Sequence, residues 1–146
     1  MLQDSVSAIG NLTITVVDSE GHVKDRREVN NLVVAVGKTH IASRLTSNTA
    51  VIMSHMAVGT ANTTPSSGQT TLGTEIARVV LDSTVVSNAT VTYSATFPAG
   101  TGTGTLTEAG IFNSANVGSM LCRTRFNPVV KAAGEALIIG WNVTVQ

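Results

Sequence analysis

Residues 90–97 read Thr-Val-Thr-Tyr-Ser-Ala-Thr-Phe, and this stretch decides the fold class. Apolar and polar side chains alternate at every position, which is the period of a strand with one buried face. The apolar set is Val91, Tyr93, Ala95 and Phe97, and the polar set is Thr90, Thr92, Ser94 and Thr96. The stretch therefore predicts a strand with one face in a core and one face lined by hydroxyl groups.

The same alternation appears near both ends of the sequence. Leu12, Ile14 and Val16 fall on one face of a first strand, residues 18–21 read as a turn, and Trp141, Val143 and Val145 alternate in a last strand. Further strands are predicted over residues 22–29, 51–58, 76–81, 85–86, 106–113 and 118–126. Threonine and valine, with 21 and 20 copies the commonest residues, are β-branched and favour strands. The sequence predicts an all-β domain, either a β-sandwich or jelly-roll-like.

One segment has a different period. Over residues 37–46, Ile41, Ala42 and Leu45 share a helical face while Lys38 can point to water, which predicts one short helix. The domain is predicted to span residues 11–146, with residues 1–10 as an N-terminal arm that could reach a neighbour. Residues 59–73, rich in Thr, Ser and Gly, form the longest polar loop, of a length that is usually mobile or used.

Charge is scarce in this chain. Charged residues make up 12 % of the sequence, the formal net charge is +0 and the mean hydropathy is +0.25. Without a global positive field, neither nucleic acid nor an anionic membrane is an expected partner. No apolar run approaches the roughly 18 residues that span a bilayer, and the first residues do not resemble a secretion signal. We therefore expect action in the cytoplasm or in a particle assembled there, and little self-repulsion between copies.

The few charges are concentrated. Residues 24–28 carry five of the eighteen charges, which is how an edge strand is protected or an interface is marked. Arg123 and Arg125 share one side of another strand, where they could contact acidic groups of a partner, remain solvated, or pair internally with Glu108 or Glu135. The candidate partner interface consists of Lys24, Arg26, Arg27, Arg123 and Arg125.

Known catalytic and ligand-binding patterns are not matched. Gly37-Lys38-Thr39 resembles the end of a phosphate-binding loop, but Leu32 stands where that motif requires glycine. His22, His40 and His55 lack a second histidine at metal-ligand spacing, and no serine lies in a nucleophile-elbow pattern. Cys122 lies in an apolar segment and is expected to be a buried, inert thiol. We therefore expect no catalytic, cofactor or metal site, and no enzyme.

Several phrases, which together cover most of the chain from residue 30 onward, are similar to those of small virion proteins of tailed bacteriophages. They are Asn31-Leu32-Val33-Val34, Met56-Ala57-Val58-Gly59-Thr60, Leu72-Gly73-Thr74-Glu75, Leu106-Thr107-Glu108-Ala109-Gly110-Ile111-Phe112-Asn113 and Trp141-Asn142-Val143. Proteins of this kind are labelled sometimes as tail-fibre proteins and sometimes as head decoration proteins. The resemblance implies a place on the virion and brings no catalytic residues with it. Its phrases fit fold determinants, with Glu75 and Glu108 able to pair with Arg78 or Arg123.

The leading functional hypothesis is a capsid decoration, or cement, protein that forms small homo-oligomers, expected to be trimers, and bridges the major capsid protein. A clamp of this kind stabilises the shell by its higher affinity for the expanded lattice. The short chain without a visible shaft pattern favours this hypothesis over its alternative, a tail-fibre, baseplate or adaptor component of the tail. A carbohydrate-binding module is a third class, disfavoured because only 3 % of residues are aromatic.

Overall fold

The computed structural model describes residues 5–46 and 49–146, which form nine strands and one helix. The strands are β1 (Ala8–Val17), β2 (Val23–Val33), β3 (His55–Gly59), β4 (Glu75–Val80), β5 (Ser83–Ser87), β6 (Thr90–Phe97), β7 (Gly104–Phe112), β8 (Met120–Lys131) and β9 (Ala136–Val145), and the helix α1 (Ala35–Thr46) follows β2. The prediction of an all-β domain with one short helix is confirmed.

The strands form a single antiparallel sheet that curls on itself. Its order is β4-β3-β7-β8-β2-β1-β9-β6-β5. Residues 23–31 of β2 pair with β1, whereas Leu32 and Val33 pair with β8, so this strand passes from one half of the sheet to the other. We call the half with β1, β9, β6 and β5 sheet A, and the half with β8, β7, β3 and β4 sheet B. Contact between β4 and β6 brings the far ends of the two halves together, as in a sandwich.

The core lies between the two halves. Trp141 and Phe97 enter it from sheet A, Met56 and Ile111 enter it from sheet B, and all four are fully buried. The alternation read from the sequence holds for Leu12, Ile14, Val16, Tyr93, Ala95, Phe97, Trp141 and Val143, which are all buried. Val145 is 41 % exposed, because β9 ends there. The period of two therefore identified the inward faces of sheet A.

The helix ends at Thr46 as predicted, but it begins two residues early and its last turn is less buried than expected. It begins at Ala35, and Gly37 lies so close to the backbone of Leu121 that a Cβ atom would collide with it. Only glycine lets α1 lie directly on β8 at this point. Ile41 packs against the core, but Leu45, predicted on the same buried face, is 84 % exposed. The last turn of α1 therefore extends beyond the part of the core that its earlier turns cover.

Three predicted boundaries are corrected by pairing. The strand predicted over residues 51–58 begins only at His55, and Val51 and Ile52 are exposed. The predicted arm over residues 1–10 is shorter, because Ser7 exchanges backbone hydrogen bonds with Gln146 and β1 already starts at Ala8. Of that arm, residues 1–4 lie outside the described part of the chain. β8 continues to Lys131, past the predicted end at residue 126, because β7 pairs with it that far.

Two neighbouring isoleucines of β9 test the sandwich arrangement. Ile139 is fully buried, whereas Ile138 points to the other face and is 39 % exposed. We expect Ile139→Ala to lower the free energy of unfolding by about 2–5 kcal/mol, because it leaves a cavity. Ile138→Ala is the matched control and should cost less than about 1 kcal/mol. Denaturant unfolding measures both, and equal effects would contradict the assignment of faces.

Candidate interaction surfaces

A buried ion pair lies on the outer face of sheet B, away from the main core. Glu108 on β7 and Arg123 on β8 have side chains that are 0 % exposed. Arg123 Nη2 lies 2.7 Å from Glu108 Oε2, and Arg123 Nε lies 3.2 Å from the same oxygen. A single unpaired charge would be very costly in such a place, whereas a pair with further hydrogen bonds is tolerated.

The polar loop between β3 and β4 supplies those further hydrogen bonds. We call residues 60–74 the covering loop. Glu108 accepts hydrogen bonds from the backbone N–H groups of Ala61, Gly73 and Thr74, at 3.2, 2.9 and 2.7 Å. Arg123 Nη1 donates to the backbone carbonyl of Thr63 at 2.9 Å. The ion pair thus fixes both ends of a loop that sequence reasoning left as mobile or used.

An apolar contact completes the attachment of the covering loop. Leu72 is buried in a second, small cluster with Phe112 and Met120, on the outer side of sheet B. A Cβ atom at Gly110 would press against Leu72 and the Phe112 ring, and one at Gly59 would collide with the Thr74 carbonyl. The two glycines therefore leave the space that the loop occupies.

The environment of Glu108 favours its charged form. Burial raises the pKa of the Glu108 carboxyl, but hydrogen bonds from Thr74, Gly73, Arg123 and Ala61 outweigh burial and lower that pKa below its ordinary value of 4.5. The carboxylate is therefore ionised at neutral pH. Arg123 has its counter-ion inside the protein.

Arg123 consequently does not belong to an exposed basic surface, which corrects its place in the candidate interface. The internal pair with Glu108, one of the alternatives read from the sequence, is formed instead. The pair of Glu75 and Arg78, which the resemblance suggested, is also formed, with 2.7 Å between Arg78 Nη2 and Glu75 Oε1.

The other predicted interface residues lie at the surface, and most have acidic neighbours. Lys24 pairs with Glu135 at 2.9 Å, while Arg27 pairs with Asp25 at 3.0 Å and Arg26 with Glu28 at 3.4 Å. A role of these residues in binding a partner stays a prediction.

Arg125 differs from them. It donates to the backbone carbonyl of Asn62 at 3.3 Å and has no carboxylate partner in the described part of the chain. It lines a polar hollow together with Arg27 and Asn127. Arg125 is therefore the member of the predicted interface whose charge is most available to a partner.

Exposed apolar surface surrounds α1, and sequence reasoning missed it. A groove of about 280 Å³ between α1 and sheet A is lined by Ile41, Leu45, Ile52, Tyr93 and Val145, among others. A second hollow, also lined by Leu45, includes Val6. Periodicity placed Leu45 in the core, because it shows which side chains share a face but not how far the neighbouring elements extend.

The predicted absence of a metal site and of a membrane span can be compared with the described residues. No group of three or more His, Cys, Asp and Glu side chains among them could hold a metal ion. Their helix is too short and too polar to cross a bilayer. Cys122 is buried as expected, and burial raises the pKa of its thiol well above the ordinary value.

The family of the chain is shown by a sequence match that runs from β2 to the start of β9. A family model described as "phage tail-collar fibre protein, N-terminal" matches residues 27–136, about three quarters of the chain. The chain belongs to this family. It is thus a structural protein of the virion of a tailed phage, as the resemblance implied. The matched part of the tail-collar fibre domain includes α1, the covering loop, Glu108 and Arg123. No curated protein and no solved structure matches the chain.

The buried pair of this tail-collar fibre domain can be tested by removing one charge. We expect Glu108→Gln to lower the free energy of unfolding by about 3–5 kcal/mol, because Arg123 stays buried without a counter-ion. Adding Arg123→Met should cost less than the sum of the single changes. Glu28→Gln, at the exposed pair with Arg26, is the control and should have no measurable effect. Denaturant unfolding measures the two single variants, the double variant and the control. If the losses caused by Glu108→Gln and Arg123→Met simply add in the double variant, the two side chains are not coupled.

The lowered pKa of Glu108 predicts a dependence of stability on pH. Because the folded pKa lies below the unfolded one, the stabilisation is complete above about pH 4.5 and is lost as the pH falls through the folded value. Lowering the pH should therefore reduce the free energy of unfolding of the natural protein by more than it reduces that of Glu108→Gln. Denaturant titrations of both proteins at a series of pH values, from neutral into acid, measure this difference. Parallel pH curves would contradict it.

Proposed function

We propose that this chain is a non-enzymatic module of the phage tail, in the tail fibre or at its attachment, and that it works by packing against copies of itself and neighbouring virion proteins. The match to the tail-collar fibre family over residues 27–136 carries the proposal. It favours the tail role, which was the alternative from the sequence, over the cement role. Assembly in the host cytoplasm is part of the proposal.

The build of the domain supports a mechanical role. The part of sheet B around Glu108 and Arg123 is covered on both faces, with the main core on one side and the covering loop on the other. The loop is held by hydrogen bonds to a buried ion pair rather than left free. A module that transmits force between neighbours needs this kind of fixed surface, and it needs no reacting group.

The expected partners are proteins. Net charge is +0, and Lys24, Arg26 and Arg27 each have an acidic neighbour, so the surface offers little attraction for a phosphate backbone or an anionic bilayer. Arg125 offers an available charge, and the groove beside α1 offers apolar surface at a separate place; both features are found at protein interfaces. Homo-oligomers are part of the proposal, and the trimer expected from the sequence stays a prediction.

The number of copies per particle decides between tail and head. Purified particles are separated into heads and tails, and the chain is quantified by mass spectrometry against the major capsid protein. We expect a few copies per particle, in the tail fraction. The tail's own major tube protein, measured in the same samples, is the control for the separation. Copies close in number to the capsid protein, in the head fraction, would support the cement role, and absence from both would contradict a place on the virion.

A further inference from the structure

The two end strands of the curled sheet differ in their protection. β4 carries the Glu75–Arg78 ion pair, and Arg78 Nη1 also donates to the carbonyls of Ser114 and Val117, at 2.9 and 3.0 Å. β5, which reads Ser-Thr-Val-Val-Ser, has no charged residue and no proline, and all five of its residues are exposed. Charge and proline are the usual means of keeping an edge strand from pairing with another chain. β5 lacks both.

The backbone of β5 has hydrogen-bonding groups directed away from the protein. Ser87 and Thr90 pair across a two-residue turn, in which Asn88 has a φ of 53°. The pair that closes such a turn exchanges both backbone hydrogen bonds, and the pattern then alternates along the strand. Val85 therefore bonds inward to β6. Thr84 and Val86 direct their N–H and C=O groups outward, where β5, the last strand of the sheet, has no further neighbour among the described strands.

The sequence of β5 is nearly the same read in either direction. If two copies lie antiparallel about a two-fold axis at Val85, that residue faces itself, Thr84 faces Val86, and Ser83 faces Ser87. No like charges meet in this register, because Asp82 just before the strand would face Asn88. A two-fold interface needs such self-complementarity, since the same patch supplies both sides.

We propose that β5 pairs with β5 of a second copy, antiparallel and centred on Val85, so that the two copies of sheet A become one continuous sheet. Thr84 and Val86 would exchange about four backbone hydrogen bonds with their counterparts. The pairing also covers Val85 and Val86, which are 56 % and 68 % exposed in the single chain. The inference deepens the self-association in the proposed function, but it rests on the edge itself and not on a location in the tail.

The short edge sets the expected strength. Five residues bury less surface than the roughly 1,200 Å² at the low end of stable interfaces, so the isolated chain should pair weakly. In a particle, neighbouring copies are held together, and the effective concentration of one edge near the next is much higher. Association should therefore be concentration-dependent in solution.

Cysteine cross-linking tests the register. Val85→Cys places one thiol opposite its own copy, in the closely spaced type of strand pair, while Cys122 is buried and does not compete. Under mild oxidation we expect the full chain with Val85→Cys to form a covalent dimer at least about tenfold faster than Val130→Cys, an exposed control on β8. A mixture of Ser83→Cys and Ser87→Cys should form mixed dimers. Cross-linking no faster than the control would overturn the proposal.

A second measurement addresses the backbone. Val86→Pro removes an outward N–H group and leaves the bonds to β6 in place, whereas the control Val86→Thr keeps that group. By sedimentation, we expect Val86→Pro to weaken self-association at least about tenfold, with circular dichroism confirming that the variant is folded. Association that Val86→Pro leaves unchanged, including a stable trimer, would overturn the proposal and assign self-association to another surface. A copy number that places the chain in the head would contradict the proposed tail function. It would leave the cross-linking and sedimentation results unaffected.

Discussion

Glu108 and Arg123 place two opposite charges on the outer face of sheet B, where neither side chain reaches water. Each charge makes the other tolerable, and the remaining hydrogen-bonding capacity is used by the covering loop. The loop is therefore needed for the pair, and the pair is needed for the loop. Because Gly59 and Gly110 leave room for this arrangement, the position of residues 60–74 depends on side chains and backbone from β3, β7 and β8 together.

This mutual dependence makes the two halves of the fold unequal. Around Glu108 and Arg123, sheet B is buried on both faces, and Arg78 of its end strand β4 reaches inward, with its guanidinium 3.7 Å from the centre of the Phe112 ring. Sheet A is buried on one face only. Its outer face carries hydroxyl and amide groups that bond to one another, such as Thr90 to Thr144 and Thr92 to Asn142, both at 2.8 Å. The outer face of sheet A and the surroundings of α1 are therefore available to partners, as is Arg125 on sheet B.

Local pattern predicted the inward face of sheet A well, because alternation directly reflects which side of a strand meets the core. It failed where distant chain decides burial. Arg123 and Arg125 are two positions apart on one face of β8, yet Arg123 is fully buried and Arg125 is exposed, since the covering loop, from much earlier in the chain, encloses only the first. The prediction for Leu45 failed in the opposite direction, since a residue expected to be buried is exposed. The sequence of its own helix does not tell whether another element covers it.

The difference between the two halves suggests how a domain with few charges can associate with its neighbours in a defined way. Because only 12 % of the residues in the chain are charged, the surface offers little electrostatic selectivity between partners. Unwanted contacts must therefore be limited by the geometry of the domain. Here β4, at one end of the sheet, carries the Glu75–Arg78 ion pair, whereas β5, at the other end, carries no charged residue. When only one edge can accept a strand, association adds in one direction and stops once that edge is filled. A domain built in this way can join neighbours in a defined arrangement without a strongly charged surface.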